Sequence, residues 1–390
     1  MIPRAESPFL VRSVSPTGLG STLAEHGRER PVVFDELMGA PLVLRHKDVS
    51  AALRDTKTFS TQFYGMGPMA TAMIAHDGVE HARQRRIHNR FFSASASARY
   101  AEIVRPIAQQ AFGGLSGKRE SELIGDVLAA YPMKVFLELL GVRDDVGDQG
   151  LAWVRAIISW LGSPMDESLT APGLKAFAEI SEYTTRLVEH ERAHPSDNML
   201  GEIVKAHVDE GEYTPEAVTV AVVSLLLGGF ETTIQMLTGT IAALLLNDEA
   251  LQRVRADASL YDAALDEAFR WASPSAGLYR LVLRDTEIGG TAVKSGSMVY
   301  LCIAAAHFDG DVYADPAAFT LGRPGTHLGF GLGPHYCVGA PLARIEARAA
   351  LAALLAMFPE LRLDPAAEPS FFYGARGFVQ HGSEELRVLL

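Results

Sequence analysis

The sequence predicts a mainly α-helical fold with a small β-sheet subdomain, an α+β chain read as one domain over residues 1–390. Three observations predict it. From about Glu80 to Leu260 apolar residues recur at three- and four-residue spacing, the period of helices with one buried face. Short strand-like runs gather near the two ends of the chain. No internal repeat, low-complexity run or long Pro/Ser linker divides it.

Taken in order, the first 60 residues alternate short apolar runs (residues 31–34 and 41–44) with polar turns, which reads as a few strands and short helices. Helical periodicity then runs through 101–112, 124–140, 171–190 and 215–246. Pro106 and Pro132 fall inside two of these segments and are expected to kink or split them. Residues 281–305 look strand-like, 341–358 helical, and the tail strand-rich.

Composition excludes several classes. With 48% hydrophobic and 21% charged residues the chain has ample apolar surface to repay the entropy of folding, so it is not disordered. Its 35 Lys+Arg against 47 Asp+Glu give a net charge of −12, which lacks the basic footprint of a nucleic-acid binder. Two cysteines, Cys302 and Cys337, make no disulfide framework and suit a reducing cytoplasm. The N-terminus has no apolar signal-peptide core, and the most apolar stretch, residues 218–230, is shorter than the ~20 residues of a membrane span. A cytoplasmic monomer without a membrane anchor is expected.

The segment Phe330-Gly331-Leu332-Gly333-Pro334-His335-Tyr336-Cys337-Val338-Gly339 carries the chemistry. Glycines and a proline around one cysteine describe a sharply bent loop whose backbone comes close to something flat or bulky. A helix signal follows at once, so its exposed N–H groups and dipole favour the Cys337 thiolate. A lone thiolate suits one axial bond to a haem iron better than zinc, which needs three or four ligands. Cys302, inside an apolar run, reads as an ordinary buried cysteine.

This loop resembles that of the cytochromes P-450, haem-thiolate monooxygenases whose pattern Phe-Gly-x-Gly-x-His-x-Cys-x-Gly is matched at every fixed position. The resemblance implies haem b, iron protoporphyrin IX, with Cys337 as its axial metal ligand and Phe330 near the thiolate. It implies a haem held between the Thr232 helix and the Cys337 loop.

Further segments appear in the order that family requires. Glu267 and Arg270 share a helix face at three-residue spacing and resemble the family's buried Glu-x-x-Arg pair. Arg323 is its third member by resemblance, although Thr320 stands where the family has aspartate. His81 and Arg85, four apart on a helix, resemble the His-x-x-x-Arg that meets the haem propionates; Arg280 and His335 join them by the same resemblance.

The segment Gly228-Gly229-Phe230-Glu231-Thr232-Thr233 is an odd piece of helix, because each glycine costs it roughly 1 kcal/mol relative to alanine. It resembles the oxygen-activating helix of the family. There Gly229 brings the backbone close, Thr232 and Glu231 relay protons, and Thr233 points elsewhere. For the substrate pocket, Ser224, Gly228 and Thr232 recur every four residues with Leu227 beside them. Phe63, Tyr64, Met69, Met73, Ile74, Ala276, Gly277, Leu278 and Phe378 are added by resemblance.

The implied reaction uses dioxygen, two electrons and two protons to insert one oxygen atom into a lipophilic small molecule. The alternative keeps the haem thiolate without monooxygenation: peroxide-driven oxidation, rearrangement, or gas sensing and carrier docking. Electrons are expected from a ferredoxin and its ferredoxin reductase. The electron carrier is expected to dock on a basic patch of Arg83, Arg86, Arg90, Arg344 and Arg348.

Overall fold

The computed structural model describes residues 4–5, 15–142, 146–163, 166–374 and 377–390. Helices dominate from Gly78 to Trp271, and a further long helix, Ala340–Met357, follows the cysteine loop. Several starts are written locally. The Ser93 and Asn198 side chains accept from Ala96 N and Gly201 N at 3.3 and 2.8 Å. Thr214 accepts from Ala217 N at 3.1 Å, with Pro215 in the first turn where its missing N–H costs nothing.

Proline acts differently at its two helical sites. Pro106 lies within the continuous helix Ala94–Gly113, whereas Pro132 stands at the start of Tyr131–Leu140, after a separate π-helical turn, Ile124–Leu128. The 215–246 segment is two helices, Pro215–Gly229 and Glu231–Leu246, broken at Phe230 where φ is −94° and ψ −74°. The Phe230 ring is buried edge-on against Phe136, with centroids 5.4 Å apart, so the break is fixed by packing. This 32-residue stretch is long and apolar enough to cross a membrane by length and composition, more than the 13-residue run suggested. Most of its apolar window is buried in the core.

The main sheet has six strands in the order Arg4–Ala5, Val32–Asp35, Ala40–Val43, Met298–Leu301, Leu278–Val282 and Phe59–Ser60. Val32 pairs with Val43 antiparallel, Leu42 with Tyr300 parallel, and Leu278 with Leu301 antiparallel. Cys302 is fully buried in the small core behind this sheet, with Leu42, Tyr279 and Tyr300. The larger core joins the helices. Ala340–Met357 packs along Ala94–Gly113 and against Glu231–Leu246, so the cysteine loop and the broken helix are held to one scaffold.

Candidate active site

A cavity of about 340 Å³ separates the cysteine loop from the helix break. Phe330, His335, Cys337 and Gly339 border it on one side; Ser224, Gly228, Gly229 and Thr232 border it on the other. Its remaining wall is mostly apolar, with Phe92, Phe136, Leu225, Met236, Leu278 and Ile303.

The loop owes its path to glycine. Gly331 and Gly333 have φ of 72° and 76°, and a Cβ on Gly333 would lie 2.8 Å from the Leu53 carbonyl oxygen. Cys337 N donates to Phe330 O at 2.9 Å, closing the loop. Cys337 lies deep in the molecule but its surface opens on the cavity. Burial pushes its thiol up, outweighing the N–H groups of Gly339 and Ala340 and the charge of Arg85, which favour the thiolate. The helix start favours the thiolate, as the sequence suggested, but burial opposes it; Cys337 would hold a metal through its thiolate sulfur.

Opposite, the Thr232 hydroxyl donates to the Gly228 carbonyl, whose residue stands on the far side of the break. A Cβ on Gly228 would meet nothing within 4 Å, so this glycine leaves room in the cavity, while one on Gly229 would touch the Phe136 ring at 3.4 Å. Glu231 turns away. Fully buried and off the cavity wall, it accepts from Arg155 Nε at 3.0 Å and from Gln235 Nε2 at 2.8 Å. Thr233, expected to point elsewhere, borders the cavity with Thr232. The helix restarts at Glu231, just after the break at Phe230.

Of the four residues expected at acidic groups, Arg280 and His335 border the cavity. Arg280 is buried, lowered by desolvation, and bonded through Nη1 only to the Tyr279 carbonyl at 2.7 Å. It makes no ion pair among the described residues. His81 and Arg85 do not border the cavity. The His81 ring lies behind His335, centroids 4.2 Å apart, with its Nε2 buried and without a hydrogen-bond partner among the described residues, and Arg85 Nη1 donates to the Tyr336 carbonyl at 2.5 Å. His335 Nε2 meets Asp77 Oδ1 at 2.9 Å, a partner the sequence reading missed. Burial works to raise the Asp77 carboxyl, but His335, Ser60 and Thr61 outweigh it and hold it low.

Glu267 and Arg270 are buried and paired through both carboxylate oxygens, at 2.8 and 2.9 Å. Arg323 Nε reaches the same carboxylate at 3.0 Å. Thr320, the departure from the family pattern, takes part: its backbone N–H donates to Glu267 at 2.8 Å and its hydroxyl accepts from Arg323 Nη2 at 3.1 Å. Arg270 also donates to the carbonyls of His307, Pro316 and Ala318, tying down the approach to the cysteine loop.

Tyr64, Ile74, Ser224, Gly228 and Leu278 from the predicted pocket border the cavity. Phe63, Met69, Met73, Leu227, Ala276 and Gly277 do not. Phe63 packs on the sheet core, Met69 and Leu227 are buried in the helical core, and Met73 is half-buried in its own 3-10 turn. Ala276 is fully buried, and a Cβ on Gly277 would strike Tyr300 at 2.4 Å, so this pair faces the sheet core. Phe378 lies in the strand Gly377–Ser383, and its side chain is outside the described residues. The reading missed Phe92, Phe136, Met236 and Glu346, which also border the cavity. An acid in an otherwise Ala/Leu-rich helix was the available signal for Glu346.

The five arginines expected to form a basic patch are each paired. Arg83 meets Glu80 and Glu212, Arg86 meets Glu210 at 3.8 Å, and Arg90 meets Asp209 and Glu210. Arg344 and Arg348 meet Asp266 and Asp262, both at 2.6 Å. Acidic residues of the same helix, of the segment 209–212 and of the helix Tyr261–Trp271 turn the patch into a mixed-charge surface.

A cytochrome P-450 family model matches residues 27–384. The chain belongs to the cytochrome P-450 family. It is 40% identical over 386 residues to a C-19 steroid 1alpha-hydroxylase of Sorangium cellulosum, covering 98% of both chains. The structure of cytochrome P-450 260B1 from the same organism superposes with a TM-score of 0.94 at 40% identity, covering 100% of both chains. A Bacillus megaterium cytochrome P-450 in complex with testosterone matches at a TM-score of 0.87 and 26% identity, covering 95% of this chain and 97% of that one.

As a cytochrome P-450, the chain binds haem b through a cysteine thiolate and is a monooxygenase of lipophilic small molecules, taking its electrons from redox partner proteins. The cavity fits that group. It offers the Cys337 thiol, an open space at Gly228, and the buried Arg280 guanidinium, which pairs with no carboxylate among the described residues.

Proposed function

We propose that the chain, read as one domain, is a soluble cytoplasmic steroid hydroxylase in which Cys337 supplies the thiolate and Thr232 passes protons to the oxygen side of the haem. The observation that carries this reading is the apolar cavity bounded by Cys337 on one side and by Gly228 and Thr232 on the other. The steroid assignment draws on the C-19 steroid 1alpha-hydroxylase and on the testosterone-bound Bacillus structure.

The haem, when bound, supplies the reduction of dioxygen and the insertion of one oxygen atom. The chain does the rest. Arg280 offers a desolvated guanidinium to a propionate, with His335 beside it. His81 and Arg85 act from behind: the first packs on His335, the second braces the Tyr336 carbonyl next to Cys337. The N–H groups of Gly339 and Ala340 stabilise the thiolate sulfur. Phe92, Phe136, Leu225, Leu278 and Ile303 exclude water and hold an apolar substrate. The Thr232 hydroxyl, resting on the Gly228 carbonyl, can turn into the cavity and hand on a proton.

The electron carrier in this reading is a ferredoxin, docking near Tyr336, which is exposed on the surface beside the cysteine loop. Since the nearby arginines are paired, shape and apolar contact carry the docking, and its rate falls only gently with salt. Steroid titration tests the substrate class. A C-19 steroid should displace water from the ferric iron of the purified holoprotein with a saturable spectral shift, while a fatty acid of similar size should not. The reverse order of affinities would reject the steroid assignment.

A further inference from the structure

A sulfur can face an iron steadily only if the loop that carries it keeps its path. The exit of the cysteine loop is closed by Cys337 N on Phe330 O at 2.9 Å, and within it Gly331 N turns back to Leu328 O at 2.8 Å. Leu328 is where the loop begins, and its own N–H goes to a side chain, donating to His307 Nε2 at 2.7 Å. His307 is fully buried and lies 21 positions earlier in the chain. One residue further on, Gly329 N donates to His327 Nδ1 at 3.0 Å, so two imidazoles take consecutive N–H groups.

The two histidines do different work. His327 bonds within its own turn and moves with the loop. His307 follows the short helix Ile303–Ala306, which continues from the main sheet, so its bond ties the loop to the scaffold. Its backbone is fixed at both ends: the N–H donates to Ile303 O at 3.0 Å, and the carbonyl accepts from Arg270 Nη1 at 2.9 Å. The ring meets Tyr313 and His327 edge to face, with centroids 6.4 and 6.3 Å away. A ring nitrogen accepts a hydrogen bond only when it carries no proton, so the neutral ring holds its proton on Nδ1. Burial, then the charges of His327, Arg270 and His46, push the ring well below the usual histidine range, outweighing a backbone contact with Arg270 that favours the charged form.

We propose that His307 is a positioning residue for the haem thiolate: its bare Nε2 anchors the Leu328 N–H and so fixes the loop that presents Cys337. It acts through the backbone and does not border the cavity. Through its carbonyl it also joins the Glu267, Arg270 and Arg323 cluster to the loop, so one residue links the two. Without an acceptor the Leu328 N–H would be buried and unsatisfied, and the loop would shift to find it a partner. The inference rests on Cys337 being the haem ligand.

The test compares the haem-loaded wild type with two variants. His307→Gln places an amide oxygen where Nε2 stands, and His307→Phe keeps a ring of similar size with no acceptor. Spectra are taken well below the melting temperature and scaled to haem content, so loss of folded protein does not enter. Hydrogen–deuterium exchange of the peptide spanning Leu328 and Gly329 reads the bond itself: it should be several-fold faster in His307→Phe and near wild type in His307→Gln. In the reduced carbon-monoxide spectrum, His307→Phe should lose much of the red-shifted Soret band to the unshifted band of a protonated or detached sulfur, while His307→Gln keeps it. Wild-type exchange or a wild-type spectrum in His307→Phe would overturn the proposal. So would equal losses in the two variants, or failure of both to hold haem, because the ring would then act by packing alone. Cys337→Ser separates the two readings: if it kept the red-shifted band the ligand assignment itself would fail, and if it loses that band the His307 variants judge the positioning role alone.

Discussion

Arg155 reaches from the helix Gly147–Gly162 to Glu231 at the break between the two central helices, Nε to Oε2 at 3.0 Å. The carboxylate is fully buried while the Arg155 side chain is 35% exposed, so solvent screens only one end of the pair. Removing the arginine strands a buried charge. We expect Arg155→Gln to destabilise the fold by roughly 1–3 kcal/mol, the range for losing a charged hydrogen bond. The double variant Arg155→Gln/Glu231→Gln should recover most of it in denaturant titrations. Equal stabilities for the two variants would show that the pair is not coupled.

The Thr232 hydroxyl is expected to govern coupling rather than binding. Thr232→Ala should keep haem and substrate affinity while consuming reduced nicotinamide with less hydroxylated product and more peroxide. Because Thr233 borders the same cavity, Thr233→Ala should show a smaller loss of the same kind rather than none. Product and peroxide per nicotinamide measure both.

The Glu267, Arg270 and Arg323 cluster should behave as one structural unit. Glu267→Ala leaves two guanidiniums facing a buried gap, which costs about 3–5 kcal/mol for a broken buried pair. Haem content after expression should collapse, and Arg323→Lys should lose less because it keeps the charge. Normal haem incorporation in Glu267→Ala would contradict the unit.

Stability should respond to pH at both ends. Burial lowers His88 to about 4 from 6.5, so the folded state binds fewer protons than the unfolded chain between those values. Its contribution is present above pH 6.5 and lost as pH falls toward 4. Glu346 runs the other way: its carboxyl is raised, so its contribution is present below about 4.5, the ordinary value, and is lost as pH climbs through its folded value. Melting temperatures across pH should show a weaker acid slope in His88→Gln and a weaker alkaline slope in Glu346→Gln.

Gly228 offers a cleaner steric test. Its missing Cβ faces open cavity, so Gly228→Ala should stabilise the helix by up to ~1 kcal/mol without a clash, while weakening the binding of bulky substrates. A melt and a steroid titration on one preparation would separate the two effects.

The sequence carried the helical architecture and the cysteine loop plainly, because both depend on local patterns: apolar periodicity, and glycines at positive φ. Thr320 shows why a motif departure was harmless, since its backbone N–H makes the bond to Glu267 that side-chain identity cannot affect. Direction was harder to read. Glu231 is drawn off the cavity by Arg155 on another helix, and Thr233 meets the cavity beside Thr232 just after a break that packs on Phe136, far away in sequence. Ala276 and Gly277 face Tyr300 for a reason set by sheet register, and most acids that pair with the arginine patch come from distant parts of the chain. These are tertiary facts with no short-range signature.

The reduced carbon-monoxide spectrum tests the central claim, that Cys337 is the haem ligand, most directly. Wild type and Cys302→Ser should both give the red-shifted Soret band of thiolate ligation, because Cys302 is sealed in the sheet core. Cys337→Ser should lose that band. Retention of the band in Cys337→Ser, or its loss in Cys302→Ser, would contradict the assignment.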